Sequence, residues 1–246
     1  MRSLILLLLA ACASGNQPMR VLVYNIHAGR DAKAVDNLER VAALIKAVDA
    51  DLVLLQEVDR GTTRSGGVDQ LAVLERLTGL RGTFGKSLDY QGGEYGVATL
   101  SRWPVTAHKI VPLRVEPPQP RAGGAIEPRV ALVVDTGRVR VLNTHLDASR
   151  EEIYRLQEVA QVLDTIAKDR VTLAGGDFNA EPGSAVQQRL AGAGLRDCGA
   201  AAGPTFPADK PVKRIDYLFV VEGRCAAAKV LDSQASDHRP VLFTVR

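Results

Sequence analysis

The chain has 246 residues, of which 46% are hydrophobic and 24% charged, values that are ordinary for a soluble globular protein and exclude a disordered or fibrous chain. The formal net charge of +3 and the 4% aromatic content argue against the long basic surface and the base-stacking platforms of dedicated nucleic-acid-binding proteins. The length fits one α/β domain, which we expect to be monomeric.

The first residues have the pattern of an export signal. Arg2 precedes an apolar run, Leu4 to Ala10, that is too short to cross a bilayer, and the run ends in Leu-Ala-Ala-Cys, which resembles the bacterial lipobox. We therefore expect residues 1–11 to be a signal peptide, Cys12 to be a lipidated N-terminus at the cell envelope, and residues 12–18 to be a linker to a domain at 19–246.

Two other interpretations of this segment remain open. The small residues around Cys12 also fit ordinary signal cleavage after Ala13, which would give a secreted or periplasmic protein. Alternatively, the apolar run is a buried N-terminal strand of the core, in which case residues 14–18 form an internal loop. Of the three interpretations, only lipidation at Cys12 predicts association with a membrane through acyl chains.

From Met19 onwards, short apolar strands alternate with amphipathic helices, the pattern of an α/β domain. The first half predicts a strand at 19–24, a helix opened by a capping box of Asp36 and Glu39, a strand at 52–55, a helix at 69–77 stopped by Gly79, and a strand at 97–100.

The second half predicts a Pro-rich loop at 111–128 and strands at 130–134 and 138–143. Next comes a helix opened by a capping box of Ser149 and Glu152, with an apolar stripe of Ile153, Leu156, Ala160, Leu163 and Ile166. A strand at 171–174, a helix capped by Ser184, and strands at 215–220, 228–231 and 241–245 follow. This order fits two packed sheets with helices outside, although the pattern alone does not select it over one doubly wound sheet.

Two cysteines remain besides Cys12. In an oxidising compartment Cys198 and Cys225 either form a disulfide or stay separate as buried thiols, and the sequence leaves both readings open.

Clusters of polar side chains follow the predicted strands. Any one of them could simply close a turn or cap a helix. In chain order the clusters are Asn25-Ile26-His27, Gln56-Glu57, Glu127-Pro128-Arg129, Asn143-Thr144-His145-Leu146-Asp147, Gly176-Asp177-Phe178-Asn179, Arg214-Ile215-Asp216-Tyr217 and Ser236-Asp237-His238.

This ordered set, together with the Tyr95-Gly96-Val97-Ala98 strand, resembles the endonuclease/exonuclease/phosphatase superfamily across essentially all of residues 20–246. The resemblance implies a four-layer α-β-β-α sandwich of the deoxyribonuclease I-like type. It also implies hydrolysis of a phosphoester by water with the help of Mg²⁺ or Mn²⁺, a hard cation that prefers oxygen ligands.

The resemblance assigns roles residue by residue. It implies metal binding by Glu57 with Asn25 and Asp237 as supporting ligands. It implies that Asp177 activates the attacking water, that Asn179 holds water and phosphate in line, that His145 and His238 donate to phosphate oxygens, and that Asp216 supports His238.

The prediction of substrate-binding residues is less specific. Arg129 is expected to fork onto phosphate oxygens, and Arg64 and Tyr95 are expected to line the substrate rim. His27 shares a strand face with Asn25 and is a candidate supporting group, whereas His108 is interpreted as an ordinary surface or core residue.

Several functions share these motifs. A phosphodiesterase or phosphatase is our leading interpretation, with a nuclease or a sphingomyelinase- or phospholipase C-like lipid hydrolase as alternatives. A non-catalytic lipoprotein that binds phosphorylated ligands is the alternative from a different class. The partner is therefore expected to be a phosphoester substrate, with nucleic acid disfavoured but not excluded.

Overall fold

A computed structural model describes residues 17–118, 127–221 and 223–246. The predicted signal peptide, Cys12 and most of the linker lie outside these described residues, as does the middle of the predicted Pro-rich loop. Export and lipidation therefore stay predictions.

The described residues form twelve strands and four helices. The strands are β1 (Met19–Asn25), β2 (Leu52–Arg60), β3 (Arg81–Tyr90), β4 (Gly93–Ser101), β5 (Ala107–Leu113), β6 (Arg129–Asp135), β7 (Arg140–His145), β8 (Leu173–Asp177), β9 (Arg196–Asp197), β10 (Asp216–Val220), β11 (Cys225–Val230) and β12 (Val241–Val245). The helices are α1 (Leu38–Ala47), α2 (Gln70–Thr78), α3 (Glu152–Asp169) and α4 (Ala185–Gly192). None of these helices is long and apolar enough to span a membrane.

The strands form two six-stranded sheets, with the orders β11-β12-β1-β2-β4-β3 and β5-β6-β7-β8-β10-β9. Each sheet has one parallel pair at its centre, β1 with β2 and β7 with β8, and its other pairs are antiparallel. The two sheets therefore follow the same plan.

Alternating side chains of the central strands build three cores. Val21 and Val23 of β1 lie in a core that also contains Leu132 and Leu218 of the second sheet, so this core fills the space between the sheets. Leu22 of β1 packs with residues of α1 and α2, and a third core joins the second sheet to α3 and α4. Burial on both faces of each sheet produces four layers, which confirms the predicted α-β-β-α sandwich.

Two predicted helix starts are wrong. At α1 the N-cap is Asn37, whose side-chain amide instead donates to the carbonyl of Ile26 at 2.9 Å. At α3 the N-cap is Glu151, because the Ser149 hydroxyl is taken by the carboxylate of Asp147. The Ser184 cap of α4 is confirmed, since its hydroxyl accepts from the N–H of Gln187 at 3.3 Å.

The predicted apolar stripe of α3 is also partly wrong. Ile153 is 56% exposed in the first turn, whereas Val159 and Val162, which the stripe omitted, are fully buried. The buried face also carries the charged residues Arg155 and Glu158. Because of them, the apolar pattern in the sequence did not identify which face of α3 is buried.

Three edge strands were missed, β3, β5 and the two-residue β9. β3 and β5 each pair on one side only; β5 is largely exposed and β3 is mostly half-buried, so neither has the apolar run that identifies a buried strand. β5 also contains Pro112, which belongs to a strand here and not to a loop.

Cys198 and Cys225 form a disulfide, with their Cα atoms 5.2 Å apart. Cys198 follows β9 of the second sheet, and Cys225 begins β11 of the first. The bond therefore ties together strands at the edges of the two sheets.

Candidate active site

The predicted site residues lie at one edge of the sandwich. Asn25 is the last residue of β1, His145 the last of β7 and Asp177 the last of β8, so all three lie at carboxyl ends of the parallel pairs. β10 runs antiparallel to β8, and its first residue, Asp216, is therefore paired with Asp177. Residues distant in sequence meet here because both sheets present the same edge.

Glu57 reaches the site through a bulge in β2. The pairing with β4 runs from Leu55 opposite Ala98 to Val58 opposite Gly96, so two residues of β2 face one of β4. Glu57 adopts a left-handed φ of 55° in this bulge. The extra residue turns the carboxylate toward the cavity while the strand continues beyond it.

Gln56, the other bulge residue, is fully buried and links the two sheets. Its Nε2 donates to Oδ1 of Asn143 on β7 at 2.7 Å. Asn143 in turn donates from Nδ2 to the carbonyls of Leu55 and Ala98 at 3.1 and 2.8 Å. This buried polar link fixes the spacing of the two halves of the site.

Asp177 is the centre of the site. Its Oδ1 accepts from the backbone N–H of Asn179 at 2.9 Å, and its Oδ2 accepts from Nδ2 of Asn25 at 3.1 Å. Oδ2 also lies 3.6 Å from Nε2 of His145 and 3.7 Å from Nε2 of His238. Burial is the main cause that raises the pKa of Asp177 to about 7, and repulsion from the Asp216 carboxylate acts in the same direction. The positive charge of His238 lowers this pKa but does not cancel the rise.

His238 is held by a carboxylate. Its Nδ1 lies 2.9 Å from Oδ2 of Asp216, and both side chains are buried. Burial alone would lower the pKa of His238, but the charge and hydrogen bond of Asp216 raise this pKa to about 10. The imidazole is therefore a cation at neutral pH, and it packs against the Phe206 ring with centroids 4.8 Å apart.

His145 faces different partners. Its Nε2 lies 3.1 Å from Nδ2 of Asn179, and its Nδ1 lies 3.0 Å from Nη1 of Arg129. Nη1 also lies 2.5 Å from Oε1 of Glu127.

Arg129 differs from its predicted role. It was expected to fork onto substrate oxygens, yet it is 3% exposed and does not line the cavity. It lies behind His145, where Glu127 offsets the cost of burying its charge.

A cavity of about 440 Å³ opens at this edge. The described residues around it are Glu57, Arg64, Leu88, Tyr90, Tyr95, Glu127, His145, Ala148, Asp177, Asn179, Phe206, Asp237 and His238. The predicted rim residues Arg64 and Tyr95 are among them. Leu88, Tyr90 and Phe206 were missed, because the first two belong to the unpredicted edge strand β3 and Phe206 has no polar motif around it.

Arg64 is rigidly placed on the cavity wall. Its Nε and Nη2 donate to the buried carboxylate of Asp59 at 2.7 and 2.8 Å. Its guanidinium carbon also lies 4.7 Å from the ring centroid of Tyr90 and 5.2 Å from that of Tyr95. This fork and the two rings leave the arginine little freedom to turn.

The carboxylates of Glu57 and Asp237 fit a hard divalent cation. Both line the cavity, and in the described part of the chain neither forms an ion pair with a lysine or an arginine. Oxygen ligands of this kind are those that Mg²⁺ and Mn²⁺ prefer.

A second acidic group is less suitable. Ligand-type atoms of Asp177, Asp216 and His238 lie within 4.8 Å of one another. However, Asp216 and His238 already share a hydrogen bond of 2.9 Å, with which a cation would have to compete.

Asn25 presents nitrogen where an oxygen ligand was expected. Its Nδ2 donates to Oε1 of Glu57 at 3.0 Å and to Oδ2 of Asp177 at 3.1 Å, while its Oδ1 accepts from the N–H of His27 at 3.0 Å. As oriented, Asn25 links the two carboxylates, and binding a cation through Oδ1 requires the amide to turn over.

The other two histidines lie apart from these contacts. His27 is partly exposed, and its Nδ1 is 3.8 Å from Oδ1 of Asp237, consistent with a supporting position at the rim. His108 lies on the exposed strand β5, so of the surface and core positions left open by the sequence it occupies the surface one.

Solved structures with the same fold cover nearly the whole chain. A Beutenbergia cavernae DSM 12333 protein described as an endonuclease/exonuclease/phosphatase is 27% identical, with a TM-score of 0.77 over 94% of this chain and 72% of that one. A functionally unknown conserved protein from Enterococcus faecalis V583 is 25% identical, with a TM-score of 0.75 over 93% and 99%. A Bacteroides thetaiotaomicron VPI-5482 mannosyl-6-phosphatase is 17% identical, with a TM-score of 0.75 over 93% and 99%, and shows the fold alone.

No curated protein matches the sequence significantly. The family model of the Endonuclease/Exonuclease/phosphatase family, in contrast, matches residues 22–238, a span that contains every site residue described above. The chain therefore belongs to the endonuclease/exonuclease/phosphatase family, whose members include phosphatases and nucleases.

Proposed function

We propose that this chain hydrolyses a phosphoester bond by attack of water on phosphorus, with the help of a bound Mg²⁺ or Mn²⁺. The observation that supports the proposal is the position of one buried carboxylate, Asp177, at 3.6 Å from His145 and 3.7 Å from His238. Phosphoryl transfer needs a base near phosphorus and donors around the phosphoryl oxygens, and this grouping offers both.

Asp177 is the candidate base. Its Oδ1 is held by the N–H of Asn179, which leaves Oδ2 oriented toward the two histidines. With a pKa of about 7, the carboxylate is partly ionised at neutral pH and can accept a proton from water.

The other groups are candidate donors. His238, kept cationic by Asp216, can donate from Nε2 to a phosphoryl oxygen. His145 and the amide of Asn179 reach the same part of the cavity. Glu57 and Asp237 would hold the divalent cation, which supplies positive charge to stabilise the charge that develops on the phosphoryl oxygens.

The substrate class follows less directly. The cavity is lined by the aromatic side chains of Tyr90 and Tyr95 as well as by polar side chains such as Asp177 and His238. A phosphodiester or phosphomonoester with a compact organic group fits this lining better than a long nucleic acid, which would require an extended basic surface. Sugar phosphates belong in the comparison because a protein of this fold is described as a mannosyl-6-phosphatase.

The experiment is hydrolysis of a substrate panel by the purified domain. The panel contains bis(4-nitrophenyl) phosphate, 4-nitrophenyl phosphate, mannose 6-phosphate, sphingomyelin, phosphatidylcholine, DNA and RNA, each with Mg²⁺, with Mn²⁺ and with EDTA. We expect metal-dependent turnover of at least one substrate, reduced by about a thousandfold or more in Asp177→Asn.

His108→Gln is the matched control, because this histidine lies on β5 away from the cavity. Turnover that is absent, independent of metal or equal in Asp177→Asn would contradict the proposal. Binding of inorganic phosphate without turnover would favour the non-catalytic alternative.

We further propose export with lipidation at Cys12, supported by the Arg2, apolar-run and Cys12 pattern of the N-terminus. The intact mass of protein extracted from membranes tests it. A diacylated Cys12 as the first residue is expected, and an N-terminus after Ala13 or an uncleaved Met1 would contradict it.

A further inference from the structure

In the two cavity histidines, His145 and His238, the Nδ1 atoms face groups of opposite charge. Nδ1 of His238 faces the carboxylate of Asp216 at 2.9 Å, whereas Nδ1 of His145 faces the guanidinium of Arg129 at 3.0 Å. A carboxylate only accepts hydrogen bonds and a guanidinium only donates them. The two rings must therefore hold their protons differently.

At His145 the contact fixes the tautomer. Because Arg129 cannot accept, Nδ1 must be the acceptor in this hydrogen bond. Nδ2 of Asn179, 3.1 Å from Nε2, is a donor as well, and a neutral imidazole accepts at one nitrogen only. Because the charged guanidinium is the stronger donor, the ring proton lies on Nε2, the atom on the side of Asp177 and Asn179.

Protonation of His145 is opposed by the same contact. An imidazolium would place its Nδ1–H against a guanidinium N–H in a buried position. Asp177, 3.6 Å from Nε2, favours the cation, but Arg129 is nearer and points directly at the other nitrogen. Glu127 pairs with Arg129, and the charges of Glu158 and Glu57 also favour the charged form of Arg129.

We propose that Arg129 is a positioning residue that holds His145 as a neutral imidazole whose Nε2–H donates into the cavity. Arg129 does not line the cavity, so it acts through the residues it contacts there, His145 and Glu127. This replaces the substrate-binding role that the sequence suggested for it.

This tautomer has a consequence at the neighbouring amide. Nδ2 of Asn179 donates to the carbonyl of Leu146 at 3.0 Å and lies 3.1 Å from Nε2 of His145. With a proton on Nε2, two donors face each other, which is unfavourable unless an acceptor lies between them. An anionic oxygen between them would accept from both, which is the position of a phosphoryl oxygen if the proposed function holds.

The test is the protonation state of His145 in the wild-type protein, read by NMR of ¹⁵N-labelled histidine side chains. The chain has four histidines, so His145→Gln assigns the signal and His108→Gln serves as the control. We expect an unprotonated Nδ1 and a protonated Nε2 that do not change from about pH 5 to about pH 9. A protonated Nδ1, or titration of His145 to the imidazolium in this range, would overturn the proposal.

Arg129→Met and Arg129→Lys provide the second readout. In Arg129→Met we expect His145 to titrate within this pH range, with an added ionisation in the pH profile of kcat and a loss of about tenfold or more in kcat. Arg129→Lys keeps a donor and should restore part of the loss. An unchanged tautomer without titration in Arg129→Met would refute the role of Arg129, and if that variant does not fold, the wild-type spectrum alone decides.

Failure of this proposal is distinguishable from failure of the proposed function. The NMR measurement needs no substrate, so an inactive protein with a neutral, Nε2-protonated His145 would contradict only hydrolysis. An active enzyme with a titrating His145 would contradict only the role of Arg129.

Discussion

Nε2 of His238 lies 3.7 Å from Oδ2 of Asp177, so a buried cation faces the carboxylate that we propose as the base. The two side chains are 5% and 1% exposed, and water therefore screens their interaction little. Their protonation states and the stability of the fold are linked as a result.

The first prediction concerns this linkage without added metal. Because the folded pKa of His238 is about 10 against an ordinary 6.5, the stability that its charge contributes is fully present below pH 6.5 and is lost as pH rises toward 10. Relative to His238→Gln, the wild-type free energy of unfolding should fall by on the order of a few kcal/mol across this range. Urea denaturation at several pH values with EDTA measures it. Parallel curves for wild type and His238→Gln would contradict the prediction, and His108→Gln should follow the wild type.

The second prediction concerns metal binding without reference to activity. A cation held by Glu57 and Asp237 binds the folded state alone, so saturating Mn²⁺ at about a hundred times Kd should add about 2.7 kcal/mol of stability and raise Tm. Glu57→Gln should lose most of this increase. Glu39→Gln, an exposed carboxylate on α1, is the matched control and should keep it. An equal rise in all three proteins would rule out Glu57 as a ligand.

The third prediction concerns the cavity wall. Removing the guanidinium that lies against Tyr90 and Tyr95 in Arg64→Met should raise KM by about tenfold and change kcat less, because Arg64 contacts no proposed catalytic group. Arg138→Met removes a similar contact, 4.9 Å from the Trp103 ring centroid, and is the control. Steady-state kinetics on the best panel substrate decides. A loss confined to kcat would show that Arg64 acts on the reaction itself.

The fourth prediction concerns the strand residue before Asp177. Gly176 has a φ of +139°, and a Cβ there would lie 1.9 Å from the carbonyl oxygen of Thr144 on the neighbouring strand. Gly176→Ala should therefore destabilise the fold by roughly 3 kcal/mol or more, measured by urea denaturation. Gly192→Ala, which meets nothing within 4 Å, should stay within about 0.5 kcal/mol of wild type. A stable Gly176→Ala would show that β8 can move away from β7.

The central strands and their order of motifs could be predicted from the sequence, because apolar runs and strand-end clusters are local signals. The edge strand β3 could not, since its pattern depends on pairing with β4 on one side only. Because β3 was not predicted, its cavity-lining residues Leu88 and Tyr90 were not predicted either.

The role of Arg129 required the structure for a different reason. Its sequence neighbour Glu127 and the distant His145 together allow the charge to be buried, and no local pattern shows that combination. Likewise, only three-dimensional contacts show that Asn25 offers nitrogen to Glu57 and Asp177.

The central claim is that water attacks phosphorus at Asp177. Hydrolysis of the best panel substrate in H₂¹⁸O, followed by ³¹P NMR and mass analysis of both products, tests this most directly. We expect ¹⁸O in the phosphate product and none in the released alcohol, with the rate at which labelled product forms reduced by about a thousandfold or more in Asp177→Asn. ¹⁸O in the alcohol, or formation of labelled product at equal rates by wild type and Asp177→Asn, would contradict the account.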